Sequence, residues 1–224
     1  MKVHVNFFIV IDIKMNTPVR KRGRPRILDR DTGLAIAAKL FWKHGYEGTS
    51  ISDLTSAMEI TAPSLYALFG SKEELYQQAL DFNINLEAKP RSEILFQPEL
   101  CTFDALKLYL YEAAKSMTDP NKPRGCIIST AVLQHAQQNE SIAKAVASRR
   151  DASIQMMKSR FDRAVAENEL ALGTDTEALS RFYSAVVQGM SAQSCDGACE
   201  QTLKNMIDIA LCAWPGNNKT VSSS

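Results

Sequence analysis

After the first fourteen residues, strand-like alternation is almost absent and apolar residues recur at helical steps. Between about residues 29 and 44, Leu34, Ala37, Ala38, Leu40 and Phe41 share one stripe, and Gly45 follows where a left-handed residue would stop a helix. Ser50 and Asp53 have capping-box spacing, with Asp in place of Glu, ahead of the apolar face Ile51, Leu54 and Met58. That pattern predicts a short second helix. Thr61 is placed to cap a third, Pro63 falls in its first turn where a missing N–H costs nothing, and Leu65, Leu68 and Phe69 make its inner face. Gly70 ends it. Ser71 and Glu74 form a second capping box, so a fourth helix is expected from Lys72 through Leu75, Ala79, Leu80 and Phe82 to about Lys89, with Pro90 closing it.

Further helices are expected at about 102–118, 125–137, 140–168, 175–194 and 197–213. The breaks fall at residues 119–123, 138–139, Gly173 and 196–197. The fold class is therefore all-α. A hydrophobic share of 45% is ample for a buried core in 224 residues.

Charge changes this picture at one end only. The formal net charge is +1, yet residues 20–26 hold five cations (Arg20, Lys21, Arg22, Arg24, Arg26) and no acid, leaving the remainder slightly acidic. A basic arm on such a body suits nucleic acid or anionic lipid. The apolar run "VNFFIVIDI" is interrupted by Asp12, is too short to span a bilayer and precedes no small-residue cleavage pattern, so neither a signal peptide nor a membrane anchor is expected. Met15 is an alternative start, with residues 1–14 as an upstream extension. Five cysteines (Cys101, Cys126, Cys195, Cys199, Cys212) are an odd set without an export signal, which points to reduced thiols in the cytoplasm.

Two short helices joined by a tight turn, with another capped helix following, describe a helix-turn-helix in a three-helix core. The run "ISDLTSAMEITAPSLYALFGSKEEL" resembles the DNA-binding signature of the tetracycline-repressor (TetR) family, a resemblance that covers about residues 27–85. Farther on, "RGCIIS" and "QGMSAQSCDGA" look like effector-domain stretches of one branch of that family. The resemblance implies that Thr61, Ala62 and Pro63 enter the major groove, that Ser64 and Tyr66 contact groove or phosphate, and that Lys72 anchors a phosphate. Ala67 lies on the same outward surface, although positions 67 and 68 carry a bulky aromatic or a histidine in many relatives.

The reading helix holds no charge of its own. Ala and Pro can pack on thymine methyls and hydroxyls can bond base edges, so specificity does not need one. Affinity comes instead from phosphate neutralisation: Lys72, the helix N-termini at Ser50, Thr61 and Ser71, and the arm "RKRGRPR", whose Arg22, Arg24 and Arg26 suit a narrow minor groove. The expected layout is an extension and arm at 1–26, a helix-turn-helix domain at 27–72, a connecting helix at 73–90, a helical effector-binding and dimerisation domain at 91–214, and a tail at 215–224 with the composition of disorder.

One short reading helix makes few contacts, so a homodimer on a pseudo-palindromic double-stranded operator is expected, its half-sites roughly 34–36 Å apart. Candidate interface stripes are Leu179, Phe182, Ala185, Val186, Gly189 and Met190 on one helix and Leu203, Met206, Ile207, Ala210 and Leu211 on the next. The alternative is an intrachain core. The resemblance also implies an inducer cavity, for which Phe103, Leu106, Tyr109, Leu110, Met117, Ile127, Thr130, Leu133, Met156, Met157, Phe161 and Tyr183 are candidate linings. Few of these are charged, so a small apolar or aromatic effector is expected.

Cys195 and Cys199, four apart with Gly197 between them, are candidates for a thiol switch or a metal pair, but none of His4, His44 and His135 lies at ligand spacing, and no metal site or cofactor is expected. Cys126, after Gly125 at an expected helix start, is a candidate for a lowered thiol pKa or an inert buried thiol. The sequence contains no G-x-G-x-x-G, G-x-S-x-G or H-E-x-x-H, which ranks a thiol enzyme using Cys126 and His135 last. A ligand-responsive repressor ranks first, ahead of a constitutive architectural DNA-binding protein or a redox- or thiol-sensing regulator.

Overall fold

The computed structural model of the chain describes residues 28–130, with the Thr130 side chain excepted, and 139–216. Among them every regular element is helical. Helices α1 (Arg30–His44), α2 (Ile51–Met58), α3 (Ala62–Phe69) and α4 (Lys72–Asn83) make up the N-terminal head. Each begins on a side chain that accepts a backbone N–H: Asp29, Ser50, Thr61 and Ser71, with full capping boxes at Ser50–Asp53 and Ser71–Glu74. Gly45 and Gly70 close α1 and α3 at φ 73° and 80°, while Glu59 takes the left-handed conformation that turns α2 into α3. Leu34, Ala37, Phe41, Leu54, Leu65, Phe69, Leu75 and Ala79 fill the space between the four helices. Arg30 clamps the bundle from outside by giving N–H groups to the Leu68 carbonyl and to Gln78 while its guanidinium lies over the Phe69 ring.

The fourth helix does not stop before Pro90. It widens into a π-helical turn over Ile84–Ala88, continues as α5 (Lys89–Glu93), and tightens into a 3-10 turn at Ile94–Phe96. In a regular α-helix the Pro90 ring would strike the carbonyl one turn earlier and leave it unbonded. Here the Lys89 N–H reaches back five residues to the Ile84 carbonyl, and the wider turn gives the ring room. The stop comes at Gln97, extended at ψ 125° as a residue before Pro98 should be.

Behind the head lie α6 (Thr102–Met117), α7 (Ile127–Thr130), α8 (Glu140–Ala166), α9 (Thr176–Cys195) and α10 (Glu200–Leu211). Their core gathers Leu106, Leu110, Phe161, Tyr183, Leu203, Ile207 and Trp214, with Phe161 edge-on to both Tyr183 and Trp214. Of the expected helix at 125–137, only α7 falls within the described residues.

Head and body share packing as well as chain. Ile127, Ile128, Ile142 and Val146 of α7 and α8 belong to the head's apolar cluster. Arg149 of α8 grips Asp81 of α4 through two bonds of 2.8 Å and adds one to the Gln77 carbonyl. Trp42 of α1 donates to the Arg124 carbonyl at 3.2 Å, and Asn139 donates to Glu47 at 2.7 Å. Movement of α4 is thus tied to α8.

Candidate functional site

The outer surface of α3 is built from Thr61, Pro63, Ser64, Tyr66 and Ala67, all exposed, with Ala62 half-buried. Leu65 and Phe69 point inward, so the turn chemistry before α3 decides which side chains face out. The Thr61 and Ser64 hydroxyls lie 2.9 Å apart, a pair that can offer a donor and an acceptor from one edge of the helix. Tyr66 is 48% exposed, much for so large a ring.

Lys72 flanks this surface at the first residue of α4, its ammonium 4.3 Å from the centre of the Tyr46 ring. Burial lowers its pKa from the usual lysine value, although Glu47 and Asp53 act the other way. Sequence reasoning missed Tyr46, which packs against both Phe41 and Tyr76 and props the lysine's position. Its signal was faint: one aromatic in the Gly45–Gly48 turn. The Ser50 side chain and its N–H hold the Asp53 carboxylate, which depresses the carboxyl's pKa. Ser50 therefore turns its hydrogen-bonding atoms toward its own helix as well as outward. Arg22, Arg24 and Arg26 lie outside the described residues.

Some way behind the reading surface, a cavity of about 300 Å³ opens between the π turn, α6, α7, α8 and α9. Of the expected linings, Tyr109, Met156 and Met157 reach it. Phe103, Leu106, Leu110, Phe161 and Tyr183 instead pack in the body's core, and Met117 and Ile127 border a void of only about 20 Å³. The Thr130 side chain and Leu133 lie outside the described residues. Aromatic and apolar spacing identifies buried faces, but it does not separate a wall from a filled core. The residues missed include those of the π turn and its continuation (Ile84, Asn85, Ala88, Lys89, Arg91, Ser92), the polar side of α8 and α9 (Arg149, Arg150, Ser153, Ser184, Gln188), and Cys126, Ile128, Ser129, Ala152 and Val187. The expectation of few charges in the wall fails as well, since four cations and no carboxylate line this cavity.

A larger and more open recess of about 680 Å³ lies beyond the same connecting segment. Its walls mix Glu87, Glu112, Asp119 and Glu200 with Arg91, Lys115 and Lys122. The smaller cavity has the apolar lining that an enclosed organic ligand needs.

Comparison with known proteins decides what this arrangement is. Residues 34–79 match the family model described as bacterial regulatory proteins, tetR family, and residues 103–203 match that of the tetracyclin repressor-like C-terminal domain. The chain belongs to the TetR family. The HTH-type transcriptional repressor ComR of Escherichia coli (strain K12) is 33% identical over 88% of this chain and 93% of its own. The HTH-type transcriptional repressor BdcR of the same strain is 28% identical over 80% and 85%. A cysteine-substituted form of the TetR family regulator CifR, solved with a 26-base-pair operator DNA, superposes with a TM-score of 0.82 at 38% identity over 86% of this chain and all of its own. This TetR-family protein is accordingly a DNA-binding transcriptional regulator with the helix-turn-helix and helical C-terminal domain that the local signals indicate.

The C-terminal helices of this TetR-family chain correct the interface reading. Leu179, Met190, Leu203, Ile207, Ala210 and Leu211 are buried inside the subunit, so they build its own core and are not available to a partner. Phe182 and Ala185 are exposed, and Val186, Gly189 and Met206 are half-buried. Ile209, which the stripe omitted, is 74% exposed. Each helix is apolar on two sides, and spacing alone merged them. A Cβ at Gly189 would stand 3.4 Å from the Met206 Cε, an ordinary contact with a flexible side chain, so the approach of α9 and α10 does not depend on this glycine.

The cysteines form no disulfide among the described residues. Cys195 ends α9 and Cys199 precedes α10; burial pushes the first thiol's pKa up, while hydrogen bonds from Thr202 draw the second's down. Cys126 lines the cavity, its N–H bonded to the Ser191 hydroxyl at 2.8 Å. Among the described residues no group of three or more His, Cys, Asp and Glu is gathered that could hold a metal ion, and no helix is long and apolar enough to cross a membrane.

Proposed function

We propose that this TetR-family protein is a cytoplasmic, non-enzymatic repressor that binds a two-fold operator as a homodimer and is released by a small molecule held in the cavity between the π turn, α8 and α9. The observation that carries this reading is the continuity of one helical segment. Lys72, at its start, flanks the reading helix, and Ile84, Asn85 and Ala88, at its π turn, form a cavity wall. A ligand that fits one arrangement of this wall better than another shifts the angle of α4, and with it the spacing of two reading heads. The half-exposed stripe of Phe182, Ala185, Val186, Gly189 and Met206, extended by Ile209, is the part of α9 and α10 left for a partner subunit. Thr61, Pro63, Ser64, Tyr66 and Lys72 carry DNA contact, assisted by the arm.

Typical allosteric coupling corresponds to roughly 5–150-fold in affinity. The test is operator fragments selected from the host genome, titrated by fluorescence anisotropy with the protein's oligomeric state followed by sedimentation. A dimer that binds one selected fragment far more tightly than scrambled DNA, and weakens in the presence of a bound ligand, is expected. Equal affinity for all sequences would make it an architectural protein, and ligand binding with unchanged operator affinity would remove the regulatory half.

A further inference from the structure

The charge of the cavity wall narrows the ligand's chemistry. Lys89, Arg91, Arg149 and Arg150 line the cavity without a facing carboxylate. Arg149 is compensated by its two bonds to Asp81, which stands outside the cavity lining. Arg91, which also borders the recess walled by Glu87 and Glu112, has no ion pair among the described residues; it shares a hydrogen bond with the Tyr109 hydroxyl, but its Nε is buried without a partner. Its guanidinium lies 5.8 Å from the centre of the Tyr109 ring, held at the wall by that buried aromatic. A desolvated guanidinium nitrogen without an acceptor is unfavourable, and an oxyanion is the group that best satisfies it, through short charge-assisted bonds. Lys89, exposed nearby, adds attraction for a negative ligand at the cavity mouth. The rest of the wall sets Asn85, Gln188 and several serines beside an apolar surface on which Met156, Met157 and Val187 are the adaptable or aliphatic part.

We infer that the effector is an amphiphilic organic anion whose carboxylate or phosphate oxygens sit against Arg91 and whose apolar body lies on Met156, Met157 and Val187. The inference rests on the reading of this cavity as the effector site. The volume of about 300 Å³ suits one compact body rather than a large conjugate. The anion also has a route to regulation, because Arg91 lies in α5, the continuation of the π turn that follows α4. Drawing Arg91 toward an oxyanion pulls on the same segment that carries the reading head.

The test uses the full chain and four probes with one tail: octanoate, octyl phosphate, octanamide and octanol, measured by calorimetry with operator anisotropy in parallel. At least one of the two anions is expected to bind tenfold or more tightly than its neutral counterpart, and the stronger of the two identifies the headgroup. Arg91→Gln should erase that preference, and Arg91→Lys should restore part of it. Gln188→Glu, which adds a negative charge at an exposed lining position without changing side-chain size, should weaken anion binding several-fold and leave the neutral probes alone. Equal binding of anion and neutral probe, a preference that survives Arg91→Gln, or no binding of either anion at millimolar concentration overturns the inference. Anion binding that leaves operator affinity unchanged supports the ligand class while removing the regulatory reading, so the two failures are distinguishable.

Discussion

The head and the body are both helical, but they are held by interactions of different range. In the head each of the four helices starts on its own capping side chain, three residues from the N–H it accepts. In the body α6, α8 and α10 start without a side-chain cap, and the polar bonds that organise it cross long stretches of sequence. Arg124 donates to the Ser194 and Ala198 carbonyls, Ser194 donates to the Met117 carbonyl at 2.6 Å, and Arg160 reaches the Leu95 carbonyl at 2.7 Å. Local caps fix where each helix of the head begins, although α7 and α8 complete its apolar cluster. The body's arrangement instead depends on contacts between segments far apart in the chain.

The sharpest way to break this contrast is to remove the deepest clasp. Arg160 of α8 is 1% exposed, bonds the Leu95 and Leu100 carbonyls, and sits 3.8 and 3.7 Å from the Glu167 and Glu169 carboxylates. Glu169 in turn accepts the Thr102 N–H, so α6, α8 and the 3-10 turn meet at one guanidinium. Arg160→Ala strands the buried Leu95 carbonyl, empties the space of a fully buried side chain and leaves the partly exposed Glu167 and Glu169 carboxylates without their partner, and an expected loss of about 2–5 kcal/mol should appear in urea unfolding. A loss below about 1 kcal/mol would mean that apolar packing alone organises the body. Arg160→Met, which keeps volume without charge, separates the two contributions.

The next test concerns function in the head. Tyr66 is half-exposed and makes no packing contribution to the head's buried cluster, so Tyr66→Ala should leave the melting temperature within about a degree or two while weakening operator binding by about 1–3 kcal/mol. Deleting residues 20–26 should act differently, lowering affinity for every sequence and reducing the salt dependence by roughly 0.9 in logarithmic slope for each phosphate that the arm no longer neutralises. An arm deletion that changes sequence preference but not the salt slope would contradict the division between reading helix and clamping cations.

The same difference in range explains what could be read from the chain. Asp29, Ser50, Thr61, Pro63, Gly70, Ser71 and Glu74 act within a turn of where they stand, so the head's boundaries were legible to about a residue. The π turn was not, because it answers to Pro90 six residues past Ile84 and to a cavity formed by distant helices. Arg91, Arg149 and Arg160 look like ordinary surface cations in sequence; only the tertiary structure buries one, pairs another and leaves the third facing a cavity. Met156 and Met157 were found because adjacent methionines on an amphipathic helix suit an adaptable wall. Phe161 and Tyr183 were misassigned because core and cavity demand the same residue types.

The smallest expected effect probes the head's local logic directly. The Ser71 N–H and hydroxyl hold the Glu74 carboxylate, keeping its pKa below the usual glutamate value. The Glu74 N–H returns a bond to the Ser71 hydroxyl at 3.1 Å. Ser71→Ala should cost about 1 kcal/mol. Glu74→Gln should also destabilise at neutral pH, but with a distinct pH signature. A carboxyl whose folded pKa is depressed contributes stability that is present above its unfolded value and is lost as pH falls through the folded one. The gap between wild type and Glu74→Gln in urea midpoints should therefore close across the acid range, while the gap for Ser71→Ala should narrow less, since its lost N–H acceptor does not titrate. Parallel pH profiles for the two variants would show that the box acts as a single unit and that its charge adds nothing to the start of α4.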